Sequence, residues 1–130
     1  MKKYTKEQKK TYFKGLRDKW EMQKKEFEAL PIKEQNRIIG YQILVGAKSV
    51  IAFYDVYKAL KSQGLDGLPY QDVKTFGGWK SSGFIVKKDE EAFYKATSWK
   101  DVNEDKEGLE TFLIPRLYSV FHRTQVEAID

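Results

Sequence analysis

"GGWKSSGFIVKKDEEAFYKATSWK", residues 77–100, holds two tryptophans, three other aromatics and five lysines in 24 positions, with an acidic run at Asp89, Glu90 and Glu91. Two segments in it, "FIVK" at 84–87 and "AFYKATSW" at 92–99, are rich in β-branched and aromatic residues and read as strands. The charged residues between them read as the solvated tip of a hairpin. Just upstream, Thr75 and Gly83 bracket a short helix or turn. Downstream, "RLYSVFHR" at 116–123 sets Leu117, Ser119 and Phe121 against Tyr118, Val120 and His122, the two-residue alternation of a further strand. Thr124 and Glu127 have capping-box spacing and predict a short final helix.

The residues before this block read as helices. Thr5 and Gln8 form a capping box, and Phe13, Leu16, Trp20 and Phe27 recur on one side of a helix over about 5–29. Pro31 suits the first turn of a second helix containing Ile32, Ile38 and Ile39, with Gly40 or Gly46 as its stop. Ser49 caps a third, in which Val50, Phe53, Tyr54, Tyr57 and Leu60 share one side and Gly64 ends the run. "GLDGLPY" at 64–70 is turn chemistry that separates the two halves without resembling a flexible linker. The expected fold class is α+β, with N-terminal helices followed by a small, mostly antiparallel sheet and a short C-terminal helix. One domain over 1–130 is expected, with a mainly helical half at 1–64 and an α+β half at 70–129.

Composition narrows the function. The net charge of +5 is uneven: residues 1–48 carry 13 basic and 6 acidic side chains, residues 49–130 carry 11 and 13. The basic excess is therefore N-terminal and favours a polyanionic partner, although a lysine-rich helix is also simply a soluble one. There is no cysteine, which excludes disulfides, thiolate metal sites and a cysteine nucleophile. No secretory leader and no apolar run of membrane-spanning length is evident, so a cytoplasmic setting with no membrane partner is expected. His122 is the sole histidine, so a multi-histidine metal site cannot be built within the chain, and no phosphate-cradling glycine loop or nucleophile elbow occurs. Asp101, Asn103 and Asp105 occupy the first, third and fifth places of a calcium loop, but Lys106 and Phe112 stand where glycine and a bidentate glutamate belong. The expectation is a protein that is not an enzyme and uses no cofactor and no metal.

Nineteen Phe, Trp and Tyr accompany a full supply of Leu, Ile and Val, which leaves rings for the surface. Rings that stack on bases beside lysines that follow phosphates are what sequence-tolerant single-strand binding requires. The candidates for stacking are Trp79, Phe84, Tyr94 and Trp99. Lys80, Lys87, Lys88, Lys95 and Arg123 are the candidates for phosphate contact, with Arg116 and His122 as neighbours. Core packing is the competing reading for each ring, because strand residues alternate between faces. The stripe of Phe13, Leu16, Trp20 and Phe27 is a candidate partner-binding face, a cover for the protein's own sheet, or the apolar side of a membrane-surface helix.

Residues 70–129 also resemble the N-terminal single-stranded-DNA-binding domain of the ArdC family of antirestriction proteins. The match is carried by Thr75, Phe76, Trp79, Gly83, Val86, Lys88 and Glu90, then by Tyr118, Val120, Phe121 and Gln125. Asp89 replaces the glycine of the family's Lys-Gly-Glu turn, and the family's asparagine-rich segment has no counterpart at 30–50. The zinc protease domain that follows in full-length members is absent from this sequence. More loosely, a short, basic, cysteine-free chain with an ArdC-like second half resembles the small proteins that accompany an A-family polymerase on staphylococcal cassette chromosome elements. These resemblances imply single-stranded DNA as a partner, a mobile genetic element as the setting, and a replication-accessory role beside an element-encoded polymerase or primase. The alternative is a protein-interaction adaptor, or an antirestriction-type protein, without direct nucleic-acid binding.

Overall fold

The computed structural model describes residues 4–103 and 111–129. Helix α1 is Lys6–Glu28, started by the expected capping box: Thr5 Oγ1 accepts from the Gln8 amide at 3.0 Å and Gln8 Oε1 accepts from the Thr5 amide at 2.8 Å. Helix α2, Ile32–Val45, follows Pro31 and ends on Gly46, whose φ of 77° puts it in the left-handed region favoured by glycine. Gly40 lies inside α2. Helix α3, Val50–Ser62, is capped by Ser49, whose hydroxyl accepts from the Ala52 amide at 3.2 Å.

Strand β1 is Val73–Lys74, helix α4 is Phe76–Ser81 behind a Thr75 cap, and β2 is Phe84–Val86. Strands β3, Tyr94–Asn103, and β4, Thr111–His122, form a long antiparallel hairpin, and β1 pairs with the other side of β4 to give the order β1-β4-β3. Two expectations from sequence fail here. The segment at 84–87 does not form a hairpin with 92–99; β2 pairs antiparallel with β5, Val126–Ala128, in a separate two-stranded sheet. The segment opened by Thr124 forms one 3-10 turn, Arg123–Gln125, before that strand rather than a longer helix. Gln125, not Glu127, closes the cap, through its side-chain oxygen 2.9 Å from the His122 amide. The fold class is nevertheless the expected one, helices first and then small antiparallel sheets.

Helix α3 joins two cores. Phe53 and Tyr54 pack with Phe27 of α1 and Ile38 of α2; Val56 and Leu60 pack with Val73, Ala96 and Val120 of the sheet. Apolar residues were expected on one side of α3, but a helix gripped from opposite sides must be apolar nearly all round. The α1 stripe turns inward: Leu16 and Phe27 are buried, and Trp20 meets Trp99 edge-on at 5.9 Å. Leu16, Trp20 and Phe27 cover the protein's own hairpin and helices and form no free partner-binding face, whereas Phe13 stays half-buried beside Tyr12 of the same helix.

Among these apolar residues sits one buried carboxylate. Asp55 of α3, 1% exposed, accepts from the Tyr94 hydroxyl at 2.5 Å, the Thr97 amide at 3.0 Å and the Thr97 hydroxyl at 3.2 Å. It satisfies one amide, that of Thr97, on the outer edge of β3. Asp55→Ala is expected to cost about 2–4 kcal/mol in urea denaturation, because it strands two buried donors of Thr97 at about 1–3 kcal/mol each. Breaking the exposed Lys58–Glu26 pair should cost under about 1 kcal/mol.

Burial, reinforced by Asp55, holds the Tyr94 phenol above its ordinary value of 10.0, and burial does the same for Tyr118. The unfolded chain releases these protons near its ordinary value while the folded chain keeps them. Their contribution to stability is therefore intact below about pH 10 and declines as pH rises beyond it. Urea midpoints measured from about pH 9 to about pH 11 should fall, and Tyr94→Phe should flatten that fall.

Candidate nucleic-acid interface

The rings and cations singled out in the sequence do not share one surface. Trp79 is 3% exposed; its indole N–H donates to the Phe121 carbonyl at 2.8 Å, its ring takes Phe84 edge-on, and Lys74 Nζ lies 5.1 Å from its centre. It is a core residue of the α4 lobe and offers no face to a base. The Tyr94 hydroxyl is committed to Asp55, and Lys19 Nζ sits 5.1 Å from the centre of its ring. Phe84 remains partly exposed on β2. Lys80, Lys87 and Lys88 are exposed on α4 and just after β2, whereas Lys95 lies on β3 with its side chain on the opposite face from Arg116 by strand alternation.

His122 is also taken out of contention as a strand contact. It is 5% exposed, with Nε2 2.7 Å from the Asp66 carbonyl and Nδ1 accepting from the Thr124 amide at 3.2 Å. Nε2 thus carries the proton and donates to Asp66. Arg123 is exposed but ion-paired with Asp72. The calcium-loop-like run reaches into 104–110, outside the described residues. Among the described residues no group of three or more histidine, aspartate or glutamate side chains could hold a metal ion.

A different arrangement brings rings and cations together. Two cavities, of about 210 and 420 Å³, lie beside α3 and the sheet and have Tyr70 in common, and together they are called the cleft. Val56 lines the smaller and Ala52, one helical turn earlier, lines the larger. The wall of the smaller is Val73, Tyr118 and Val120; the larger is bounded by Trp20, Ser98, Trp99 and the 46–49 turn with Lys48. Arg116 lies with its guanidinium carbon 5.5 Å from the centre of the Tyr118 ring, on the same strand and face. Of the sequence candidates for nucleic-acid contact only Trp99 lines either cavity, while Arg116 stands beside Tyr118 without lining one.

Tyr70 is half presented and half packed, its hydroxyl bonded to that of Tyr118. It is 45% exposed and has φ 69°, a left-handed conformation that is a genuine outlier for a bulky non-glycine residue. The surrounding turn is pinned to hold it there. Asp72 Oδ2 accepts from the Leu68 amide at 2.9 Å, the Asp72 amide donates to the Leu68 carbonyl at 2.8 Å, and the Tyr70 amide donates to the Val73 carbonyl at 2.9 Å. His122 holds the Asp66 carbonyl from one side and Arg123 holds Asp72 from the other. Gly67, φ 110°, lies so close to Asp72 that a Cβ would collide with its carboxyl group. Pro69 is fully buried beneath the turn.

The residues missed by the sequence reading are therefore Tyr70, Tyr118 and Lys48. The available signal was an aromatic set directly after Gly-Leu-Pro in the "GLDGLPY" turn, a place where a ring is rarely needed for folding.

No protein-family model and no curated protein matches the chain. Among solved structures it is similar to the metal-free crystal structure of the antirestriction protein ArdC from the R388 plasmid, with a TM-score of 0.40 and 21% identity over 62% of this chain and 29% of that one. The chain thus spans less than a third of that protein's length, and at that distance the likeness assigns no function.

Because glycine enters the left-handed region freely and alanine does not, Tyr70→Gly should be more stable than Tyr70→Ala by about 1 kcal/mol in urea denaturation. Equal stabilities would mean that the turn relaxes when the ring is removed.

Proposed function

We propose that this protein binds single-stranded nucleic acid, DNA in its biological setting, through the cleft beside α3 and the sheet, and that it does so as a binding protein rather than an enzyme. The observation that carries the reading is Tyr70, a half-exposed ring held in a strained backbone conformation by a hydrogen-bonded turn, with Tyr118 lining the cavity on one side of it, Trp99 and Lys48 lining the cavity on the other, and Arg116 against the Tyr118 ring. A strained residue that folding does not require points to a ligand, and rigid rings give contact area at little entropic cost. Rings with flanking cations suit an unpaired strand, whose bases are free to stack and whose phosphates need neutralising. The net charge of +5 favours the encounter. Preference for DNA, and a replication-accessory role beside a polymerase or primase on a mobile element, are proposed on the resemblance of residues 70–129 alone.

A second reading, a protein-interaction module that does not touch nucleic acid, is favoured by α2, which leaves Ile32, Ile43 and Leu44 at 68%, 69% and 74% exposure. Under that reading no oligonucleotide shifts the tryptophan fluorescence of the protein.

Titration of intrinsic tryptophan with single-stranded, duplex and RNA oligonucleotides at two salt concentrations separates the readings. Single-strand binding should weaken by about 1–3 kcal/mol in Tyr70→Gly. Arg116→Ala and Lys48→Ala should each remove about 0.7 from the slope of log affinity against log salt. Lys87→Ala, just after β2 and outside the lining of both cavities, should leave both quantities unchanged. Failure to bind a single strand even at low salt, or a preference for duplex throughout, sinks the proposal.

A further inference from the structure

The two cavities of the cleft differ in a way that bears on how a strand is held. The larger is open to Lys48, Ser49 and Ser98, with the two tryptophans at its edge. The smaller is lined by Val56, Pro69, Val73 and Val120, with the rings of Tyr70 and Tyr118 as its aromatic walls and Lys74, Thr75 and Gly78 at the start of α4 closing its remaining side. We infer that the smaller cavity seats one unstacked nucleobase of a bound strand, while the strand's backbone passes through the larger one, an inference that rests on the single-strand reading above.

The fit is one of shape, polarity and charge. At about 210 Å³ the cavity has room for roughly seven waters at ~30 Å³ each, enough for one flat heterocycle and too little for a stacked pair. Two rings and four aliphatic side chains make a slot for a planar, largely apolar body. The polar groups within reach are two phenols, which hydrogen-bond each other and which burial holds in the protonated form, together with the Lys74 ammonium and the Thr75 hydroxyl. A neutral phenol donates and accepts, so the pair can meet the edge of any base and imposes little sequence choice. Cations stand where phosphates would run, Arg116 against Tyr118 and Lys48 along the neighbouring cavity, and the slot itself holds no carboxylate to repel them. Tyr70, shared by both cavities, is then the ring that separates the inserted base from its neighbour.

Insertion also gives a physical reason for rejecting duplex. A base must leave its partner and its stack to enter, which costs little in a single strand and several times more in a paired one. Surface stacking on Tyr70 alone would not discriminate as sharply.

The test is photo-crosslinking of the unmodified protein to single-stranded oligonucleotides carrying 5-iodouracil, with the modified residues identified by mass spectrometry. Crosslinks to Tyr118 as well as Tyr70 are expected. A strand that crosslinks only at Tyr70, Trp20 or Trp99, and never at Tyr118, overturns the inference while leaving single-strand binding intact. A strand that neither binds nor crosslinks at low salt overturns the reading beneath it. As a second arm, Val56→Phe fills the slot from its floor. If folded by circular dichroism, it should bind about tenfold more weakly with an unchanged salt slope, since the phosphate contacts remain; unchanged affinity overturns the inference. Should that variant fail to fold, the crosslinking result on the unmodified chain decides alone.

Discussion

A carboxylate taken out of water is costly unless donors replace the water it loses. Asp55 meets this condition with three donors, all on β3, and so fixes α3 against the edge of the β3–β4 hairpin in one register. Everything that lines the cleft depends on that attachment. Ala52 and Val56 lie on the same helix three residues before and one residue after Asp55, and Ser98 and Trp99 follow Thr97 on the same strand. A slip of α3 by one turn would break the network, because Ile51, Ala52, Lys58 and Ala59, one turn away on that face, carry no side-chain acceptor. Hydrophobic packing alone, being non-directional, would tolerate such a slip.

The second constraint is the turn at 66–73. Its backbone is satisfied from within by Asp72 and from outside by His122 and Arg123 at the end of β4. The same segment after β4 continues into β5, which pairs with β2 and carries the α4 lobe. His122 and Arg123 were read from the sequence as nucleic-acid contacts. Their observed task is to hold the turn that carries Tyr70.

The displaced aromatics show why adjacency in sequence was a poor guide. Trp79 next to Lys80, and Tyr94 next to Lys95, look like ring-and-cation pairs along the chain. In a helix or strand, neighbours point in different directions, so when the lysine is solvated the ring beside it turns to the core. The indole N–H of Trp79 and the hydroxyl of Tyr94 both find buried acceptors, which is what lets such amphipathic rings be enclosed. The ring–cation pairs of the cleft come instead from residues far apart in sequence, or two apart on one strand as Arg116 and Tyr118 are. Asp89 is a smaller instance of the same logic at the backbone level. It takes the left-handed conformation, φ 66°, at the turn where the resembling family has glycine, which aspartate tolerates better than most residues.

What could be read from the chain alone were the features decided by residues three or four apart: the caps at Thr5, Ser49 and Thr75, the extents of α1 and α3, the start of α2 with its stop narrowed to Gly40 or Gly46, and the alternation along β4. These rest on hydrogen bonds and side-chain directions within one or two turns, so local sequence suffices. Which strands pair, which rings are enclosed, and the surfacing of Tyr70 were decided by tertiary structure. The sequence neighbour of β2 is β3, yet its partner is β5, some forty residues on. That choice, like the position of the cleft, depends on where the buried carboxylate and the pinned turn bring distant segments together, and no local pattern encodes such a meeting.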